Sequence, residues 1–150
     1  MNDPIHSIAN LYPRLMRAMG HLRGAIDENL DLTYNQYKTL LSLSGMGACT
    51  LNSLSRDLGV ATSSASQMVD RLVAMGLVRR SPGSEDRRQI ILETTDDGEA
   101  LLEQIKDGIL LRYRELFKHL GSAEQANLAG AINTIVRILE RTGDQEKKGG

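Results

Sequence analysis

The sequence predicts a mainly α-helical chain with one small β-hairpin. Three observations carry this. Apolar residues recur at helical spacing over most of the chain. Gly59 and Gly76 punctuate that pattern in the middle. The only short β-type runs, Leu77-Val78 and Ile90-Ile91-Leu92, flank the turn-forming stretch Ser81–Arg88.

The centre of the chain is Thr50–Thr95. Leu51, Leu54 and Leu58 lie on one helical face, so a helix is expected over Thr50–Leu58. Gly59 ends it, because glycine takes a left-handed C-cap without penalty. A second helix is expected from Thr62, with Ala65, Met68, Val69, Leu72 and Val73 as its apolar face. Its other face carries Thr62, Ser63, Ser64, Ser66, Gln67 and Arg71. Such short hydroxyl and amide side chains can approach phosphates and base edges in a major groove, and Gln67 can read adenine. A helix-turn-helix followed by a charged hairpin is a winged helix. In that arrangement the hairpin arginines Arg80, Arg87 and Arg88 face the DNA backbone or the minor groove.

The helices on either side frame this module. Ile5, Ile8, Leu11, Leu15, Met19, Leu22 and Ile26 form a stripe over about 5–29, with Pro13 inside it, expected to kink the helix or delay its start. Thr33-x-x-Gln36 is a capping box opening a helix to about Ser44. Thr95 is a natural N-cap, with Asp96, Asp97 and Glu99 favourable against the helix dipole. A long helix to about His119 follows. Ser122-x-x-Gln125 reads as a second capping box, opening a last helix to about Arg141. Residues 143–150, GDQEKKGG, are expected to be disordered.

The run Val69–Arg80, then Asp86-Arg87-Arg88, then Leu92–Gly98, resembles the multiple-antibiotic-resistance regulator (MarR) family of winged-helix transcription regulators. Asp86 and Arg88 fit that family's D-x-R, and Thr95 and Gly98 its later threonine and glycine. Thr94 stands where the family usually has leucine. Leu32-Thr33 with Gln36 resembles its L-T-x-x-Q. The resemblance implies that Arg88 is the minor-groove arginine and that Asp86 orients it. It also implies a homodimer built from the long terminal helices at about 5–29 and 95–141. A monomeric three-helix packing is the alternative for those stripes. One domain over 1–142 is then expected, with the winged helix at about 50–95. The family implies a sequence-specific regulator, most often a repressor, that binds double-stranded DNA at a palindromic operator and is released by a small-molecule effector. A winged-helix protein-interaction module without DNA binding is the competing reading. Tyr12, Met16, Met19, Tyr37, Leu40 and Met46 are the candidate effector-pocket residues, with plain core packing as the alternative for each.

Composition bounds the rest. The net charge is −1. Thr50–Leu92 carries six arginines and four acids, hence +2, while the remainder has 12 bases and 15 acids, hence −3. All of the segment's basic charge is arginine, the better bidentate ligand of phosphate and guanine. No apolar run has membrane-spanning length, and no basic-then-apolar leader opens the chain, so a cytoplasmic protein is expected. The single cysteine, Cys49, cannot form an internal disulfide. It is either a packed residue or a redox sensor, the latter requiring a lowered pKa. His6, His21 and His119 show no metal-ligand spacing. Neither metal, cofactor nor catalytic residue is expected, and the chain does not read as an enzyme.

Overall fold

In the computed structural model, which describes residues 3–27 and 31–148, six helices accompany a three-stranded antiparallel sheet. The order is α1 (Pro4–Asp27), α2 (Tyr34–Met46), β1 (Cys49–Thr50), α3 (Leu51–Leu58), α4 (Thr62–Ala74), β2 (Val78–Pro82), β3 (Ile90–Thr94), α5 (Asp96–Phe117) and α6 (Ser122–Lys148). The chain divides into two compact units, residues 1–109 and 110–150.

The core lies in the first unit. Leu40 and Leu43 of α2, Leu54 of α3, Val69 and Leu72 of α4, Leu92 of β3, and Leu102 and Ile105 of α5 are all buried in one cluster. Each fully buried leucine contributes about 1.5–3 kcal/mol. Most of the first unit's stability therefore resides in the helix-turn-helix and its neighbours.

Local chemistry sets the element ends. At α2 the capping box forms: Thr33 Oγ1 accepts from the Gln36 N–H, and the Thr33 N–H donates to Gln36 Oε1 at 2.8 Å. Thr50 caps α3 in the same manner, accepting from the Ser53 N–H. Gly59, at φ +65°, closes α3, and the Val60 N–H reaches back to the Ser55 carbonyl at 3.1 Å.

The joint between the sheet and α5 is tighter. Thr95 Oγ1 donates to the Gly76 carbonyl at 2.6 Å and accepts from the Gly98 N–H, while the Thr95 N–H donates to the Leu77 carbonyl. A Cβ on Gly98 would stand 2.3 Å from that same Leu77 carbonyl oxygen. Only glycine fits there. Glu99, one residue on, accepts from Ser44 of α2 and Thr94 of β3. These bonds fix α2, the sheet and the start of α5 together.

Several sequence expectations change. Strand β1, two residues long, pairs with β3 (Cys49 with Leu92, Thr50 with Ile91), so the expected hairpin is the larger part of a three-stranded sheet ordered β1-β3-β2. Helix α1 runs through Pro13 without a later start. The side chains of His21, Leu22 and Ile26, and the expected helix end at Asn29, lie outside the described residues. In the second unit the cap of α6 shifts by one. The Gly121 N–H donates to Glu124 Oε2, and Gly121 supplies the carbonyl for the Gln125 N–H. The Gln125 amide instead serves the end of α5, donating to the Phe117 and Leu120 carbonyls. Helix α6 also continues past Arg141 to Lys148, where disorder was expected. Glutamine, glutamate and lysine are good helix formers and can extend a helix without an apolar face.

Two apolar stripes face solvent in the single chain. On α1, Ile5, Ile8, Leu11, Leu15 and Met19 are exposed, Ile5 at 76%. On α6, Ile132, Ile135, Val136 and Leu139 are exposed, Leu139 at 64%.

Gly98→Ala should lower the unfolding free energy by about 2 kcal/mol or more, since the new methyl meets backbone rather than a yielding side chain. Urea denaturation followed by circular dichroism reads this directly; an unchanged midpoint would mean that the α5 joint is slack.

Candidate nucleic-acid interface

Helix α4 buries Ala65, Val69 and Leu72 against α2 and α3 and turns its polar face outward. Thr62, Ser63, Ser64, Gln67 and Arg71 are exposed, and Ser66 is half-buried. The N-cap position is Ala61, which offers no side-chain bond, so the helix start keeps its positive N–H end uncapped by a side chain. Such an end attracts anions.

The hairpin pairs β2 with β3 from Val78–Thr94 to Pro82–Ile90. Pro82 is tolerated because β2 is an edge strand. The tip is tightly built. The Gly83 N–H donates to the Gln89 carbonyl at 2.7 Å, and a Cβ on Gly83 would lie 2.6 Å from the Asp86 carbonyl oxygen. Asp86 Oδ1 accepts from the Arg88 backbone N–H at 2.9 Å. Asp86, expected to orient Arg88, thus contacts it at the backbone. A short aspartate two residues before its partner reaches the backbone in an Asx-turn, so Asp86 shapes the loop that presents Arg88.

The arginines divide into two sets. Arg79 Nε and Nη2 both lie 3.0 Å from Glu93 Oε2 across the β2–β3 pair. Arg80 Nη2 donates to Asp70 Oδ1, tying the root of the hairpin to α4. Arg80, expected among the DNA contacts, is thus engaged with a carboxylate. Arg71, Arg87 and Arg88 are exposed, and among the described residues none of them has a carboxylate partner.

A hollow of about 350 Å³ opens beside α4. Asn35 and Lys38 of α2 form one wall, and Ser64, Gln67 and Arg71 of α4 the other. Leu58 and Met68 supply apolar lining. Nothing in the periodicity of α2 singled out Asn35 or Lys38; their exposure beside the helix-turn-helix was the available signal.

The candidate effector residues do not come together around a described hollow. Tyr12, Met16, Met19 and Met46 are exposed, Tyr37 is half-buried, and Leu40 is fully buried at 0%. Leu40 is therefore core. Burial, helped by the neighbouring Tyr34, raises the Tyr37 phenol above its ordinary value. Cys49 is buried in the core cluster. Burial, and secondarily the negative Asp57, pushes its thiol up. That is the opposite of what a thiolate sensor needs.

The MarR family model matches residues 32–90 of this sequence. The multiple antibiotic resistance protein MarR of Salmonella typhimurium is 34% identical over 109 residues, 71% of this chain and 75% of that protein. The chain belongs to the MarR family. The HTH-type transcriptional repressor MdtR of Bacillus subtilis is 32% identical over 121 residues, 81% of this chain and 76% of that one. The MarR-type fold recurs in solved structures. RV1404 from Mycobacterium tuberculosis superposes with a TM-score of 0.81 at 24% identity, over 92% of this chain and 95% of that one. A mutant MarR from E. coli complexed with operator DNA superposes with a TM-score of 0.61 at 28% identity, over 89% of this chain and 99% of that one. Among the described residues no helix is long and apolar enough to cross a membrane.

The raised Cys49 thiol gives a chemical expectation. Alkylation of the native protein by iodoacetamide should be slow at pH 7 and should rise with a midpoint above that of free cysteine, whereas the urea-unfolded chain should react at the ordinary rate. Equal native and unfolded rates at pH 7 would show an accessible, activated thiolate.

Proposed function

We propose that this protein is a sequence-specific, DNA-binding transcription regulator that acts as a homodimeric repressor on a palindromic operator. The observation that carries the reading is the outward face of α4, bare of acids except Asp70, together with the exposed Arg87 and Arg88, without a carboxylate partner among the described residues, on a hydrogen-bonded wing tip. Helix α4 enters the major groove, Gln67 meets a base edge, and Arg88 enters the flanking minor groove. A mutant MarR of E. coli complexed with operator DNA, similar to this chain over most of its length, supports operator DNA as the partner. The exposed stripes of α1 and α6 support a dimer. Two-fold symmetry then sets two α4 helices about 34 Å apart, one turn of DNA, which is why a palindrome is expected. Release by a small phenolic or lipophilic effector is the regulatory step that the family implies.

Fluorescence anisotropy with the protein's own upstream DNA and a scrambled duplex, at several salt concentrations, tests the reading. Tight, selective binding that weakens steeply with salt is expected. Salt-insensitive association with a protein partner and none with DNA would make the fold an assembly module.

Arg88→Ala should weaken operator binding by about tenfold or more, roughly 1.4 kcal/mol, while stability stays within about 0.5 kcal/mol. Retained affinity with a large fall in melting temperature would make Arg88 structural. Gln67→Ala should cost about 1–3 kcal/mol of discrimination at one base position; a uniform loss across all sequences would move Gln67 to the backbone.

A further inference from the structure

Resting on the DNA-binding reading above, we propose that the hollow between α2 and α4 seats a phosphodiester group of the operator backbone, with Lys38 and Arg71 as its cationic ligands and Asn35 as a neutral donor. Lys38 thereby joins the interface from a helix outside the helix-turn-helix.

Three features of the hollow point this way. Its volume, about 350 Å³, takes a phosphate group with water. Its lining holds two cations and no carboxylate. Asp70, the acid adjacent to Arg71 on α4, is turned to Arg80, so it does not neutralise the hollow. Among the described residues neither Lys38 nor Arg71 has a carboxylate partner. Elsewhere on the module the basic side chains of β2 are already matched, Arg79 by Glu93 and Arg80 by Asp70. Arg56 aside, the cations of the module without a carboxylate partner among the described residues are Arg87 and Arg88 on the wing and the two in this hollow. The hollow also borders the face of α4 that is proposed to read bases. A duplex seated on α4 brings a backbone past one side of that helix. A phosphate contact there fixes register without reading sequence.

The test uses the full-length protein with the operator and the scrambled duplex. Lys38→Gln removes the charge at an exposed helical position with no described partner, so the fold should be kept, as thermal melting will show. Operator and scrambled affinities should fall by the same several-fold factor. The slope of log affinity against log salt should become shallower by about 1. Lys38→Arg should keep the wild-type slope. At matched ionic strength, inorganic phosphate should displace the duplex no better than chloride. The proposal is overturned if Lys38→Gln keeps the wild-type slope and affinity, if its loss is confined to one base position, or if phosphate competes in a Lys38-dependent manner, which would make the hollow a free-phosphate site. A wild-type protein that binds no duplex at any salt would overturn the regulator reading itself. A wild type with a steep salt slope that Lys38→Gln leaves intact would remove only the assignment to the hollow.

Discussion

The Leu77 carbonyl leaves no room for a side chain at position 98, and the first unit is assembled around that fact. Gly98 allows the first turn of α5 to close on the loop after α4. The hydroxyl of Thr95 then bridges the two segments, bonded on one side to the Gly76 carbonyl and on the other to the Gly98 N–H. Glu99 extends the joint to Ser44 of α2 and Thr94 of β3. Helix α4 and the root of the wing are thus attached to one rigid junction. A DNA reader requires this, because base contacts are sensitive to displacements of a fraction of an ångström and a slack junction would blur them.

Charge acts through pairing rather than through count. Arg56 aside, the arginines of the central segment separate into two on β2 that pair with carboxylates and three that face solvent without a carboxylate partner among the described residues. Exposed ion pairs contribute little to stability, about 0–1 kcal/mol each. The effect of the Arg80–Asp70 and Arg79–Glu93 pairs is therefore chiefly geometric and electrostatic. They orient the hairpin, and they withdraw two cations from the pool available to phosphate. This explains how a chain with net charge −1 can still present a basic surface. Apart from Glu85 and Asp86 of the wing, its acids lie on other faces or pair with particular arginines.

Much of the fold was legible in the residues. Ala65, Val69 and Leu72 bury as their spacing requires, Thr33 and Gln36 cap each other, and Gly59 closes α3. These signals are local, and local physics decides them. What escaped was decided by tertiary context. Strand β1 has two residues and no periodicity of its own, and exists because β3 offers it an edge. The Gln125 amide turned to the open carbonyls at the end of α5, where Glu124 could serve the cap in its place. Asp86 accepts from the Arg88 backbone N–H, a contact set by the folding of the wing tip. Leu40 carries the same sequence signature whether it lines a pocket or fills a core, and only packing distinguished the two. Lys38 was invisible for a related reason: its meaning lies in facing Arg71 across a gap between two helices, which no spacing within α2 encodes.

The uncovered stripes of α1 and α6 bear on the proposed dimer through magnitudes. Full burial of one large aliphatic side chain is worth about 1.5–3 kcal/mol. Five such residues on α1 and four on α6 are exposed in the single chain. Because these side chains are 41–76% exposed, burial of half of that surface, doubled by two-fold symmetry, contributes about 7–14 kcal/mol, comparable to the roughly 4–15 kcal/mol that association costs. Scattered exposed leucines need no explanation, but two helix-long stripes on one chain do. Dimerisation also changes the meaning of each contact on α4 and the wing. In the proposed dimer, a phosphate pair or a base contact made once per chain would be made twice per operator, at a spacing fixed by the helices that join the protomers. Selectivity then depends on the distance between two readers as much as on the side chains of either. An effector that altered that distance could abolish binding without touching a single DNA-contacting residue.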